Sequence, residues 1–284
     1  MNRPGSSGSR ATAQAGSALI CTAYACSASI AAAARGTPQR GSVHSVFAAA
    51  ANIVFPGGFI LSLNALSSPR MPNGLQLSAS GGTFPFNALR AGMPVLFGAQ
   101  RLHIEAIGCS LDLSFCSHWN SHIEHPEQLD MEVIRKNGQH LSQTVFAPGL
   151  PWEDRVQKLS EKNMLLLAQY LCGRGRGLTP TGDDILAGWM AIGWLLYGPD
   201  PTFLAACQQI MEVAKRQTHL LSQCWLGYAA QGDVAEPIVL LLEALTRDDE
   251  MRLDAAVKAV LAMGATSGHD VLRGILLGLE MKLD

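Results

Sequence analysis

Charge is scarce in this chain. Only 15% of its 284 residues are Asp, Glu, Lys or Arg and only 6% are aromatic, against 48% hydrophobic. No long basic run is present and the formal net charge is −2, which argues against a nucleic-acid partner. No apolar run reaches the roughly 18 residues of a membrane-spanning helix, so no membrane association is expected. The seven cysteines are odd in number and irregular in spacing. They do not form a disulfide framework, and reduced thiols in a cytoplasmic protein are the simpler expectation. The Walker A lysine, the strand–glycine–helix of a dinucleotide fold, the nucleophile elbow and paired C-x-x-C are all missing.

What is present is enough apolar material for a sizeable core. A surface so poor in charge implies coverage by other subunits, either partner chains or further copies of this one. Residues 1–41 form an Ala/Ser-rich segment, read as a tail followed by a small-residue helix around Ala18–Ala34. Residues 42–150 carry short apolar runs between turn signals such as Pro56-Gly57-Gly58, Pro72-Asn73-Gly74 and Asn137-Gly138. That spacing predicts an antiparallel β-rich domain, with a hairpin turning at Asn137-Gly138. Pro148-Gly149-Leu150-Pro151 reads as a hinge. From residue 151 to residue 284 the periodicity becomes helical, over Glu153–Leu171, Asp183–Tyr197, Pro201–Ala230, Pro237–Thr246, Glu250–Met263 and Ser267–Leu283. The expected class is α+β, an N-terminal antiparallel β-rich domain followed by a C-terminal α-helical domain.

One element is written twice. Thr181-Gly-Asp-Asp-Ile-Leu-Ala-Gly188 matches Ser267-Gly-His-Asp-Val-Leu-Arg-Gly274 in hydroxyl, glycine, aspartate, leucine and glycine. Each copy follows an upstream glycine and threonine, Gly177 and Thr179 or Gly264 and Thr266. Each reads as a helix start, with Thr181 or Ser267 as N-cap and Asp184 or Asp270 closing a capping box. Arg174, Gly175, Arg176 and Gly177 precede the first copy. Glycines let a backbone approach a ligand, arginines supply planar donors, and a helix start offers outward N–H groups. Together they suggest a small-anion site, and the two loops are expected to meet in one cleft. Two capped helices packed through Gly188 and Gly274, with no ligand, is the alternative.

Other candidates are weaker. Cys109, Cys116, His118, His122 and His125 lie close in sequence but fit no zinc spacing. Thr218 and Ser222, with His219, are read as mid-helix residues sharing a face. His44-Ser45 begins the first expected strand and offers an imidazole, against the alternative of an exposed edge histidine. No metal and no cofactor is expected.

The Gly177-Leu-Thr-Pro-Thr-Gly-Asp-Asp-Ile-Leu-Ala-Gly188 and Gly264-Ala-Thr-Ser-Gly-His-Asp270 elements, with His44-Ser-Val-Phe and Leu61-Ser-Leu63, resemble the AllH-type subunit family of oxamate carbamoyltransferase. Thr181 stands where serine is usual, and two arginines enter the glycine run. The likeness spans about residues 42–283, leaving the first 40 residues without a counterpart. The resemblance implies a carbamoyltransferase subunit of allantoin or purine nitrogen degradation. Its reaction would interconvert oxalurate plus phosphate with oxamate plus carbamoyl phosphate. It also implies partner subunits, one of them acyl-CoA-synthetase-like.

On this reading Arg174, Arg176, the amides of Gly175, Gly177, Gly182 and Gly268, and the hydroxyls of Thr179, Thr181, Thr266 and Ser267 bind the anion. Asp184, Asp270 and His44 join them, and Asp183 and His269 handle protons. A carboxylase- or ligase-like enzyme using the same site, or a non-catalytic assembly subunit, are the alternatives.

Overall fold

The computed structural model describes residues 21–79, 82–144, 155–156 and 163–281. Ten short strands form its N-terminal part: β1 (Cys21–Ser27), β2 (Gln39–Val46), β3 (Ala50–Val54), β4 (Ile60–Ala65), β5 (Gly74–Ala79), β6 (Gly82–Thr83), β7 (Pro94–Gly98), β8 (Arg101–Ile104), β9 (Cys109–Asp112) and β10 (Ser117–Trp119). Across the sheet they run β10-β1-β5-β4-β3-β2-β7-β8-β9, with β6 beside β5. Pairing is antiparallel except at β1–β10 and β4–β5, which are parallel. The sheet curls until β9 approaches β1.

Side-chain alternation explains the curl. In β7 to β9, Val95, Phe97, Leu102, Ile104, Cys109 and Leu111 are buried while Pro94, Leu96, Arg101, Ser110 and Asp112 are exposed. One face therefore seeks an interior and the other stays in water. β4 differs, since all six of its residues are buried. Leu61, Leu63 and Ala65 belong to the sheet's own core. Ile60, Ser62 and Asn64 fall on the opposite face, where the Ile60 backbone N–H donates to the Cys224 sulfur. The sheet thus packs this face against the helices.

Helices occupy Met131–Thr144, Met164–Leu171, Thr181–Tyr197, Pro201–Gln217, Leu220–Ala229, Glu236–Leu245, Glu250–Leu261 and Ser267–Glu280. The Thr181–Tyr197 helix lies at their centre, buried on most sides. Arg70 joins the two parts, pairing with Glu236 at 2.9 Å and accepting the Glu236 N–H on its backbone oxygen at 3.0 Å. The α+β expectation, sheet before helices, is met.

Several local expectations are corrected. Asn137-Gly138 does not turn a hairpin; it lies inside the Met131–Thr144 helix. Asp130 caps that helix, accepting the N–H groups of Glu132 and Val133. Ile134, Asn137, Gly138 and Leu141 form its buried face. Asn137 is tolerated there because its amide donates to Leu245 O at 2.9 Å and Arg247 O at 2.8 Å.

The small-residue segment is not one helix. Cys21–Ser27 is a sheet strand, and only Ala28–Ala34 is helical, capped by Ser27. The expected Pro201–Ala230 helix breaks at Thr218 and His219, which end one helix and begin the next. The hinge at Pro148–Pro151 lies outside the described residues, as does part of the expected Glu153–Leu171 helix.

Candidate functional site

The repeated element folds as a repeated structure. The Thr181–Tyr197 and Ser267–Glu280 helices pack side by side, touching at Ile185 with Gly274, Gly188 with Val271, and Ile192 with Gly278. From Gly188 with Val271 to Ile192 with Gly278 the contacts advance in the same sense along both helices, so the two run parallel. A Cβ on Gly274 would stand 2.0 Å from the Ile185 oxygen, and one on Gly188 would stand 2.1 Å from the Val271 oxygen. Ile185 and Val271 hold the same place in the two copies.

The earlier motif glycines behave alike. A Cβ on Gly182 would meet Leu171 O at 2.0 Å, and one on Gly268 would meet Val260 O at 2.1 Å. Each glycine thus lets its helix cross closely over the helix before it. Parallel packing places both helix starts at one end, and the two loops meet there. Thr179 Oγ1 and Ser267 Oγ are 2.9 Å apart and share a hydrogen bond.

The helix starts are not capping boxes. Thr181 is already helical, Pro180 holds the cap position, and no side chain caps it. The second helix likewise begins at Ser267 with no side-chain cap from Thr266. Loop carbonyls perform the capping: the Gly182 N–H donates to Arg174 O at 2.8 Å and the Gly268 N–H to Met263 O at 3.1 Å. The close crossings bring these carbonyls within reach, so the side chains of Asp184 and Asp270 are released from capping. It also follows that the Gly182 and Gly268 amides are engaged within the chain and are not donors to a ligand.

A cleft of about 620 Å³ opens at this junction. Arg176, Gly177, Thr179, Asp184, Thr266 and Ser267 form its polar end. Phe47, Met71, Trp225, Ile238 and Met263 are among its apolar walls. Asp184 is only 6% exposed, and its Oδ2 finds no hydrogen-bond partner among the described residues. Burial pushes its carboxyl up to about 8; the Ser267 and Thr179 hydroxyls pull it down, and the charges of Asp270 and Asp183 push it up again.

Asp270, 2% exposed, also has an unpartnered Oδ2. Its Oδ1 accepts from Arg273 at 3.0 Å. At the offset of Arg273 the first copy carries Ala187, on the cleft wall. Trp225 is a site residue that sequence reasoning missed. Its buried indole N–H has no acceptor among the described residues, and an aromatic in an apolar helix gives no sequence signal of this.

The remaining expected site residues are placed elsewhere. Asp183 is 3% exposed and does not line the cleft. One of its oxygens accepts the Gly173 N–H at 2.8 Å and the other accepts the Thr218 hydroxyl. It ties the glycine loop to the break between two helices, and both of its oxygens are taken. Arg174 turns from the cleft, its guanidinium 4.0 Å from the Tyr170 ring centre and its Nε–H donating to Tyr170 O at 2.8 Å. Arg176 forms no hydrogen bond or ion pair among the described residues. Gly175 packs on Thr181.

His269 is half-buried and exposed His44 sits on β2; neither lines the cleft. Thr218 and Ser222 do not share a helix face, and Ser222 reaches the Leu178 carbonyl at 3.5 Å. The Cys/His cluster is dispersed. Cys109 and Cys116 are buried in the sheet core, His118 is exposed, His122 lies edge-on to Trp194, and His125 bonds Leu195 O at 2.8 Å. No group of three or more His, Cys, Asp or Glu side chains among the described residues is arranged to hold a metal. No helix among the described residues is long and apolar enough to cross a membrane.

Two family models match the chain. One, described as oxamate carbamoyltransferase subunit AllH, matches residues 171–279, which hold both motif loops and both motif helices. The other, described as the AllH family N-terminal domain, matches residues 19–118. That match begins inside the segment for which the sequence offered no counterpart, in agreement with the place of β1 in the sheet. No solved structure matches.

Proposed function

The chain belongs to the AllH family of oxamate carbamoyltransferase subunits, and we propose that its cleft seats the small anionic substrates of that reaction. Such a subunit works with partner subunits, and we take one of them to be an acyl-CoA-synthetase-like chain. The reaction we assign is oxalurate plus phosphate to oxamate plus carbamoyl phosphate, in either direction, as part of allantoin or purine nitrogen degradation in the cytoplasm. The observation that carries this reading is the Thr179–Ser267 hydrogen bond of 2.9 Å, which joins the two motif loops at the polar end of the cleft.

In phosphorolysis a phosphate oxygen attacks the carbamoyl carbon, the bond from that carbon to the oxamate nitrogen breaks, and the nitrogen takes up a proton. Negative charge grows on the carbamoyl oxygen and the departing nitrogen. Donors aimed at that charge lower the barrier without a covalent nucleophile. The cleft offers the Arg176 guanidinium, the Thr179 and Ser267 hydroxyls and the Trp225 indole N–H. Arg176 suits a carboxylate or phosphate because its planar fork binds two oxygens at once. At about 620 Å³ the cleft has room for both substrates together.

The apolar walls favour a second reading. Phe47, Met71, Ile238 and Met263 do nothing for a small anion, and they suit a segment of a partner subunit in a non-catalytic assembly role. Reconstitution separates the two. The chain is combined with its partner subunits, and carbamoyl phosphate formation from oxalurate and phosphate is followed with the native chain and with Arg176→Ala. A loss of activity of tenfold or more in the variant supports the substrate site. Full activity with Arg176→Ala, in a complex that still needs this subunit, leaves only the assembly role.

A further inference from the structure

An anion site built beside two buried acids poses an electrostatic problem. Asp184 and Asp270 occupy the first turns of the two parallel helices, with their carboxyls beside the positive ends of both helix dipoles. Among the described residues Asp270 has a basic partner, Arg273, and Asp184 has none. The same atom, Oδ2, has no partner among the described residues in either copy of the motif, on side chains 6% and 2% exposed. An unsatisfied polar atom so deeply buried is rare in a native fold, and an ion is one of its ordinary explanations.

We propose that Asp184, with the hydroxyls of Thr179 and Ser267, holds a divalent cation of the magnesium class at the polar end of the cleft. This inference rests on the anion-binding reading above for its purpose, since the cation brings phosphate or a carboxylate beside Asp184.

Three observations support it. The donors are all hard oxygens, the set such a cation selects. The donor atoms are adjacent: oxygens in neighbouring positions of an octahedral magnesium ion, at roughly 2.0–2.1 Å from the metal, stand about 2.9 Å apart. Thr179 Oγ1 and Ser267 Oγ are 2.9 Å apart, a spacing that serves a hydrogen bond without the metal and a shared ion with it. Finally, magnesium keeps several waters and is commonly held by one or two carboxylates plus substrate phosphate, not by a full protein cage. A site of the Asp184 carboxylate and two hydroxyls, completed by water and substrate oxygens, has that composition; Asp233, which also lines the cleft, accepts from the Ser121 hydroxyl. Asp270 adds negative charge close behind it.

The test uses the full chain, freed of metal by a chelator and then dialysed. Mn²⁺ binding is read from the loss of the free-ion electron paramagnetic resonance signal, with Mg²⁺ as competitor and no phosphate present. One Mn²⁺ should bind and be displaced by Mg²⁺, and Asp184→Asn should weaken binding at least tenfold. Absence of bound Mn²⁺ at millimolar concentration, or equal binding by Asp184→Asn, overturns the proposal. If Asp184→Asn does not fold, the pair Thr179→Val with Ser267→Ala decides: weakened Mn²⁺ binding supports the site and unchanged binding overturns it. Phosphate and oxamate titrations with and without Mg²⁺ are read separately. Metal binding with no anion binding in either condition upholds the cation site and removes the substrate reading.

Discussion

Gly188 packs its bare Cα against the backbone of Val271, so closely that a Cβ there would stand 2.1 Å from the Val271 oxygen. A backbone oxygen inside a helix has no rotamer to change, so the helices themselves must move apart. Gly188→Ala and Gly274→Ala should each destabilise the chain toward the upper end of the roughly 1–3 kcal/mol typical of overpacking. Urea unfolding measures the loss. A midpoint equal to that of the native chain in both variants would contradict the close helix crossing.

Asp183 is assigned a structural duty. Asp183→Asn keeps the shape but removes the charge that holds the Gly173 N–H and the Thr218 hydroxyl. Hydrogen bonds to a charged group contribute about 1.5–3 kcal/mol, so the melting temperature should fall clearly even without substrate. An unchanged melting temperature combined with abolished turnover would return Asp183 to a catalytic role.

The two arginines of the glycine run should separate in experiment. Arg176→Ala should weaken phosphate or oxamate binding about tenfold or more, as expected for a lost charge-assisted contact, and leave the melting curve in place. Arg174→Ala should do the reverse. It loses the stacking on Tyr170, a contribution of roughly 0.5–1 kcal/mol at an exposed site, and should bind anions as the native chain does. Calorimetric titration beside thermal melts reads both; equal loss of affinity in the two variants would mean that Arg174 also serves the cleft.

Stability of the metal-free chain should depend on pH through Asp184. Burial raises its carboxyl from the usual carboxylate range to about 8, with Asp270 and Asp183 as the facing charges. Between these limits the folded chain holds a proton that the unfolded chain has released. Its stabilising effect is complete below the unfolded value of roughly 4 and declines as pH rises toward about 8. Urea unfolding across that range, with chelator present, should show the decline, and Asp184→Asn should flatten it. A native chain whose stability rises steadily from pH 5 to pH 8 would contradict the direction.

The helical periodicity, the duplicated motif and the meeting of its loops were legible because small residues and hydroxyls recur at fixed offsets. Helix starts were misread for a reason of tertiary origin. Thr181 and Asp184 have the residue types of a capping box, but the Arg174 carbonyl arrives from the loop and takes the Gly182 N–H. Asn137-Gly138 has the residue types of a turn, but carbonyls of Leu245 and Arg247, more than a hundred residues away in sequence, satisfy the buried amide and let the helix continue. Arg174 and Arg176 are alike in sequence. Only the position of the Tyr170 ring separates the one that stacks from the one that lines the cleft. Trp225 is legible only in the folded chain, where its buried N–H has no acceptor among the described residues.

The exchange of Arg273 for Ala187 between the copies has a consequence for how the halves divide their labour. The repeat carries a built-in counter-ion in one copy, Arg273, and an alanine at the same offset in the other. The second half is electrostatically self-contained and can act as a rigid abutment. The first half lacks that counter-ion within its helix, and on the proposal above a bound cation supplies it. Symmetry of backbone thus coexists with asymmetry of charge, and occupancy at Asp184 becomes a variable that the surrounding solution can set.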